Sequence, residues 1–230
     1  MRKFIGIACI ALGVVCICGA MGLVIYNRAE EQSADEFSQS LLQDVQEEII
    51  ANMQQFLEEN EALENEIPNQ EQPSAPEIGV PDQSGEGEAF IPEEAIIPEM
   101  KTIELGGYEY IGILSIPSLG LELPVMTDWS YAKLKKAPCL YYGSCYESDF
   151  VIAAHNYKSH FGRLSKLQPG DPILFTDAVG IVHRYEVVLL ETLPKTATLE
   201  MITSGFDLSL YTCTTGGGSR VTVRCQTVVG

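Results

Sequence analysis

Leu208-Ser209-Leu210-Tyr211-Thr212-Cys213 is followed, after Thr214-Thr215-Gly216-Gly217-Gly218-Ser219, by Arg220-Val221-Thr222-Val223. Both runs alternate apolar and polar residues with the period of two that a strand shows, and the glycines mark a turn between them. Two adjacent strands joined in this way hold a thiol and a guanidinium at the same end of one sheet. The pairing suits acyl transfer: a thiolate attacks a carbonyl, and a fixed cation stabilises both the thiolate and the oxyanion that forms. A general acid is also required. Val151-Ile152-Ala153-Ala154-His155 supplies a candidate, an apolar strand that delivers an imidazole at its polar end.

At these residues the chain resembles the sortase family, the cysteine transpeptidases that attach proteins to Gram-positive cell walls. The matching pieces are Leu-x-Thr-Cys ending at Cys213, Arg-x-x-Val from Arg220, and a histidine after a buried strand at His155. Ile116-Pro117 with Leu121 to Val125, and Phe161-Gly162-Arg163-Leu164 leading to Gly170-Asp171-Pro172-Ile173, are similar to the family as well. The resemblance covers residues 101–230 and implies a closed eight-stranded barrel.

It also implies roles. Cys213 attacks a C-terminal sorting signal similar to Leu-Pro-x-Thr-Gly and forms a thioester, while His155 protonates the departing amine and deprotonates the incoming one. Arg220 positions the carbonyl and stabilises the oxyanion. The acceptor is a cell-wall or pilin amine, such as that of a peptidoglycan precursor. Thr212 contacts substrate or orients the thiol, or is a plain strand threonine. No cofactor is needed by this chemistry. Some relatives bind calcium, but the acidic linker is not arranged as an EF-hand loop and no Cys/His set has zinc-finger spacing, so no metal is expected. Pilin-polymerising members often carry an Asp-Pro-aromatic lid, which the linker lacks; a housekeeping or class B-like enzyme is the expected subclass.

Each candidate has competitors. His160 precedes a predicted helix and reads as a surface or rim residue, and His183 opens a strand and reads as exposed. Arg224 shares a face with Arg220 but lies about 13 Å further along the strand, so the two are not interchangeable. Asn156 next to His155 brings to mind a Cys-His-Asn triad, but adjacent residues rarely place one side chain on the other's ring, and papain-like enzymes have the cysteine before the histidine. A catalytically silent sortase-like binding or structural protein, and a hydrolytic peptidase, are the rival functions.

Charge divides the chain into three. Residues 1–28 carry Arg2, Lys3 and Arg28 and no acid; residues 29–100 carry 20 Asp or Glu and no Lys or Arg; residues 101–230 carry 12 acids and 11 bases. The net charge of −18 thus belongs to a linker, and a nucleic-acid surface, which needs clustered bases, is excluded. Phe4 to Tyr26 is an uncharged run of about 35 Å as a helix, enough to cross a hydrocarbon core of about 30 Å. With the basic end cytoplasmic, the rest of the chain lies outside. The competing reading is a cleaved signal peptide with Cys18-Gly19-Ala20 as its site, but the apolar run continues beyond it.

In the linker, Phe37, Leu41, Val45, Ile49, Met53 and Leu57 recur every four residues, one face of a helix that serves as a stalk, self-associates or, the favoured reading for so short a stripe, packs on its own domain. Pro68, Pro73, Pro76, Pro81, Pro92 and Pro98 then mark an extended tether, with apolar patches at Phe90-Ile91 and Ala95-Ile96-Ile97. On this reading residues 29–100 are dispensable for the chemistry and either only span the distance from the membrane or cover the Cys213 cleft with an apolar patch and so regulate access. Eight strands follow: 110–116, 121–125, 139–142, 150–154, 172–175, 183–190, 207–213 and 220–228, with short helices at 131–136 and 161–167. Cys139 and Cys145 are near enough to form a disulfide, or are two buried thiols.

Overall fold

The computed structural model describes residues 2–66 and 98–228. Its strands are β1 (Ile103–Leu105), β2 (Tyr108–Ile116), β3 (Leu121–Met126), β4 (Cys139–Tyr142), β5 (Phe150–Ala153), β6 (Pro172–Asp177), β7 (Val182–Pro194), β8 (Leu208–Cys213) and β9 (Ser219–Thr227). They hydrogen-bond in the order β1-β2-β3-β4-β5-β8-β9-β7-β6, and β6 returns to β2. That last pairing closes an eight-stranded mixed barrel from β2 to β9. β1 is a short extra strand that extends the same edge of β2 beyond β6.

Closure depends on one glycine. Gly112 lies at φ +148° and a Cβ there would stand 2.0 Å from the Thr176 carbonyl oxygen, so only glycine lets β2 approach β6 at this point. The register of β2 against β3 shifts here by a bulge. Ile111 and Leu114 therefore both enter the barrel core, while Tyr110 and Ile113 face outward. The outward face is buried as well, which is why this strand reads as a continuous apolar run rather than an alternating one.

What covers it is the N-terminal helix. α1 (Arg2–Glu66) is one uninterrupted helix. Its first part, from Ile10, is long and apolar enough to cross a membrane, with a mean hydropathy of 2.1 and no residue of that stretch buried. Its second part lays Val45 and Ile49 on Ile103, Tyr110, Ile113, Met126 and Ala178, with Phe37, Leu41 and Leu42 at the margin. Further along, Asn52 donates to the Ala178 carbonyl at 3.0 Å and Met53 meets Gly180; Leu57, on the same stripe, is exposed. The stripe thus packs on its own domain. Residues 34–53 form one wall of a second core outside the barrel rather than a free tether. The patches at Phe90-Ile91 and Ala95-Ile96-Ile97 lie outside the described residues.

All eight expected strands form. β7 extends to Pro194, four residues past its expected end. Of the two expected helices, α2 is a single turn (Tyr131–Leu134) capped by Ser130, whose hydroxyl accepts from the Lys133 N–H at 3.1 Å. The other is only a 3-10 turn, Leu164–Lys166. A further helix, α3 (Thr198–Ile202), follows β7.

Candidate active site

β5 runs parallel to β8, and β8 antiparallel to β9. Side chains of a strand alternate between faces, so the register decides what shares a row. Leu208, Leu210 and Thr212 point into the barrel opposite Cys225, Val223 and Val221, whereas Tyr211 and Cys213 point outward opposite Thr222 and Arg220. On the other side Phe150 and Ile152 point inward and Ala153 stands outward beside Tyr211. The ladder continues past β5: Ala154 N–H donates to the Tyr211 carbonyl at 3.2 Å. His155 follows one residue later, level with Cys213 and Arg220 at one end of the barrel.

Thr212 fixes that row. Its side chain is buried, and its hydroxyl donates to the Ala154 carbonyl at 2.8 Å. It ties β8 to β5 immediately before both Cys213 and His155 and faces the interior, away from any substrate on the outer face.

The His155 ring lies parallel to Tyr157, 4.4 Å between centroids and 6° between planes. Its Nδ1 accepts from the Asn156 N–H at 3.2 Å, which leaves the proton of the neutral ring on Nε2. Burial, with the Lys135 charge adding to it and the Glu30 carboxylate opposing it, holds the imidazole below its usual pKa. The tyrosine is in turn held by α1. Tyr157 donates to Glu30 at 3.4 Å, Lys135 pairs with Glu30 at 2.7 Å, and the Lys158 N–H donates to Glu31 at 2.6 Å. The histidine loop thus packs on the helix only a few residues beyond its apolar stretch.

Arg220 is half-buried, and its Nη1 donates to the carbonyls of Gly217 and Ser219 at 3.2 and 3.1 Å. No carboxylate pairs with it among the described residues. Arg224 is the opposite case. It is 2% exposed, and its guanidinium donates to Glu191 (2.8 Å), Ser209 (2.9 Å) and the carbonyls of Glu200 (2.8 Å) and Met201 (3.3 Å). All three nitrogens of the guanidinium are engaged and the group is buried, so Arg224 anchors α3 rather than facing a substrate.

Cys213 and Arg220 open onto a cleft of about 130 Å³ walled by Trp129, Tyr131, Tyr141 and Tyr211 on one side and by Pro194 and Met201 on the other. The aromatic rings contact one another at 5.2–5.9 Å. Tyr131 is 80% and Trp129 43% exposed, an apolar surface beside the thiol. These aromatics are not singled out by the sequence, although Trp129 and Tyr131, two residues apart on either side of the Ser130 cap of α2 and both exposed, are a signal that core packing does not explain.

The other candidates fall elsewhere. His160 is not a rim residue: it is completely buried beneath α1, within 3.4 Å of the Ser38 hydroxyl, and burial pushes its pKa down to about 4. His183 is mostly buried, 3.1 Å from Asp177. Cys139, Cys145 and Cys225 are free and buried, with no disulfide between Cys139 and Cys145; burial raises all three thiols to about 12. Cys139 belongs to the outer core and Cys145 to the barrel core, so the short sequence spacing does not bring them into one cluster.

Comparison with known proteins agrees with the fold. The sortase domain model matches residues 114–228. Among solved structures, sortase A from Corynebacterium diphtheriae is similar at 24% identity over 54% of this chain and 62% of that chain, with a TM-score of 0.48. Sortase C of Streptococcus pneumoniae is similar at 26% identity over 53% of this chain and 67% of that chain, TM-score 0.47. Sortase C2 of pilus island 1 from Group B Streptococcus is similar at 26% identity over 52% and 74%, TM-score 0.45. This chain thus spans less than two thirds of the Corynebacterium enzyme. No curated protein matches. The matched domain takes up half of the 230 residues, and the chain belongs to the sortase family.

Proposed function

We propose that the protein is a membrane-anchored cysteine transpeptidase that cleaves a Leu-Pro-x-Thr-Gly-like sorting signal and passes the acyl group to an amine of the cell wall or a pilin. The observation that carries this reading is the pairing of Cys213 with Arg220 on an apolar cleft, at the barrel end where the β5 run leads into His155. The aromatic wall suits the Leu-Pro portion of such a signal, and the small residues Ala153 and Ala154 leave room for backbone to approach the thiol.

The Cys213 sulfur, as thiolate, forms a bond to the threonine carbonyl carbon, and the negative charge moves to the carbonyl oxygen. Arg220, tethered to its own turn through Nη1, offers its remaining N–H groups to that oxygen. Collapse breaks the carbon–nitrogen bond, and His155, as the imidazolium that holds the proton lost by the Cys213 thiol, delivers it to the leaving glycine amine and returns to the neutral ring. An acceptor amine then attacks the thioester, gives its proton back to His155, and Cys213 leaves as thiolate. Thr212 is a positioning residue, because it fixes the two strand ends that bear sulfur and imidazole.

α1 supports the location. The contacts of Glu30 and Glu31 with the histidine loop hold the cleft close to the end of the apolar stretch. With Arg2 and Lys3 retained in the cytoplasm the barrel is extracellular, near the bilayer surface where membrane-bound substrates emerge. The test is to incubate the full chain in lipid vesicles with a fluorogenic Leu-Pro-x-Thr-Gly peptide library and a glycine-based amine. Peptide–amine conjugate is expected. Cleavage to the free acid at all amine concentrations would make the protein a hydrolase, and no cleavage would reject the substrate class.

A further inference from the structure

The end of the barrel away from Cys213 holds a second cluster of reactive side chains. β8 and β5 both end at the Cys213 row, so their first residues, and the β4–β5 loop that carries Cys145, lie at the far end. β9 finishes there and β7 starts there, since Tyr185 pairs with Thr227. Cys145 from the loop, Asp177 from the last position of β6 and His183 from the start of β7 converge, one ligand atom of each lying within 4.8 Å of the others. These residues are separated by 32 and 6 positions and show no metal motif along the chain; only closure of the barrel brings them together.

We propose that Cys145, Asp177 and His183 bind a thiophilic divalent cation of the Zn²⁺ type. One thiolate, one imidazole and one carboxylate are a ligand set suited to that ion, and three protein ligands leave a fourth position for water or a further ligand. The spacing fits. His183 Nε2 and Asp177 Oδ2 are 3.1 Å apart, and two bonds of about 2.0 Å to a shared ion across that gap make an angle of about 100°, close to tetrahedral. The ion takes the place of the proton that these two atoms share. Charge fits as well: thiolate and carboxylate together neutralise the cation, so the occupied site carries no net charge into a largely buried position.

The surroundings are those of a supported site. The other oxygen of Asp177 accepts from the N–H groups of Val179 and Ile181 at 3.1 and 2.9 Å, and Oδ2 accepts from the Tyr146 hydroxyl at 2.8 Å. The carboxylate is thus held by neighbours that remain in place when His183 turns its lone pair to a metal. An open cleft of about 640 Å³, lined by Cys145, Tyr146, His183 and Tyr185, gives the ion a path from solvent. Cys145 would bind as the thiolate, its proton passing to solvent as the metal enters.

The proposal is independent of the catalytic reading and is tested without turnover. The untagged full chain carrying Cys213→Ala is titrated with Co²⁺, which reports a thiolate ligand by a sulfur-to-cobalt charge-transfer absorption. One equivalent is expected to bind with that absorption, to be displaced by Zn²⁺, and to give none in Cys145→Ser. Tyr146→Phe, which removes a support without touching a ligand, should weaken Zn²⁺ binding by about 10- to 100-fold. Circular dichroism establishes that each variant is folded; should Cys145→Ser unfold, His183→Ala serves in its place. A folded protein that takes up no Co²⁺, or a charge-transfer absorption that survives in Cys145→Ser and His183→Ala, overturns the site.

Discussion

Replacing Arg224 by methionine separates a structural arginine from a catalytic one. The substitution keeps much of the buried volume but removes four contacts, to Glu191, Ser209 and the carbonyls of Glu200 and Met201. Breaking a buried ion pair by removing one partner costs about 3–5 kcal/mol. Glu191 is 31% exposed in its side chain and regains water once released, which places the loss at the lower end, about 3 kcal/mol. With a urea slope of about 1.5 kcal/mol per molar, the unfolding midpoint of the full chain should fall by about 2 M. Trp129, the single tryptophan, reports the transition from the cleft itself. Because Arg224 anchors the α3 carbonyls and α3 walls the cleft, turnover under folding conditions should show KM raised more than kcat is lowered. A protein of unchanged midpoint whose kcat drops about 100- to 1000-fold would refute the assignment and make Arg224 the oxyanion donor.

Arg220→Ala should give the converse, a loss of about 100- to 1000-fold in kcat with the urea midpoint nearly unchanged; a loss under tenfold would remove Arg220 from the mechanism. His160 has a folded pKa of about 4 against 6.5 when free, so between these values the unfolded chain binds a proton that the native one does not. Its contribution is full above pH 6.5 and is lost as pH falls toward 4, on the order of 3 kcal/mol in all. His160→Gln should lose that pH dependence, its stability falling less steeply than that of the unmutated protein from pH 6.5 to 4, and an unchanged slope would contradict the burial argument. Val45→Ala on α1 deletes two buried methyl groups and should cost about 1.5 to 3 kcal/mol in urea unfolding. A chain shortened to begin at Lys101 should lose more, since Ile103, Tyr110, Ile113 and Met126 would be uncovered; equal stability of the shortened and full chains would show that α1 is a mere tether.

The strands were legible because their apolar runs are bounded by Gly, Pro and Ser, and the row of Cys213 and Arg220 followed from two strands meeting at one turn. What the sequence left open was what covers the outside of the barrel. Ile111-Gly112-Ile113-Leu114 is apolar on both faces, which signals two buried faces but not that residues 34–53 provide the second cover. The same covering hid His160, which is preceded by Lys158 and Ser159 in sequence and meets Ser38 of α1, 122 positions away. Arg224 alternates in step with Arg220, and only its partners on β7 and α3 separate an anchor from a free guanidinium. Cys145, Asp177 and His183 were invisible as a group because their proximity is a product of closure, not of spacing.

The most direct test of the central claim is to identify which thiol becomes acylated. Full-length protein is mixed with a Leu-Pro-x-Thr-Gly peptide in the absence of acceptor amine, quenched in acid to preserve the thioester, digested, and analysed by mass spectrometry. The account predicts one acyl group, carried by the peptide that contains Cys213 and absent from Cys213→Ala. An acyl group on Cys145, Cys139 or Cys225, or turnover that survives in Cys213→Ala, would contradict it.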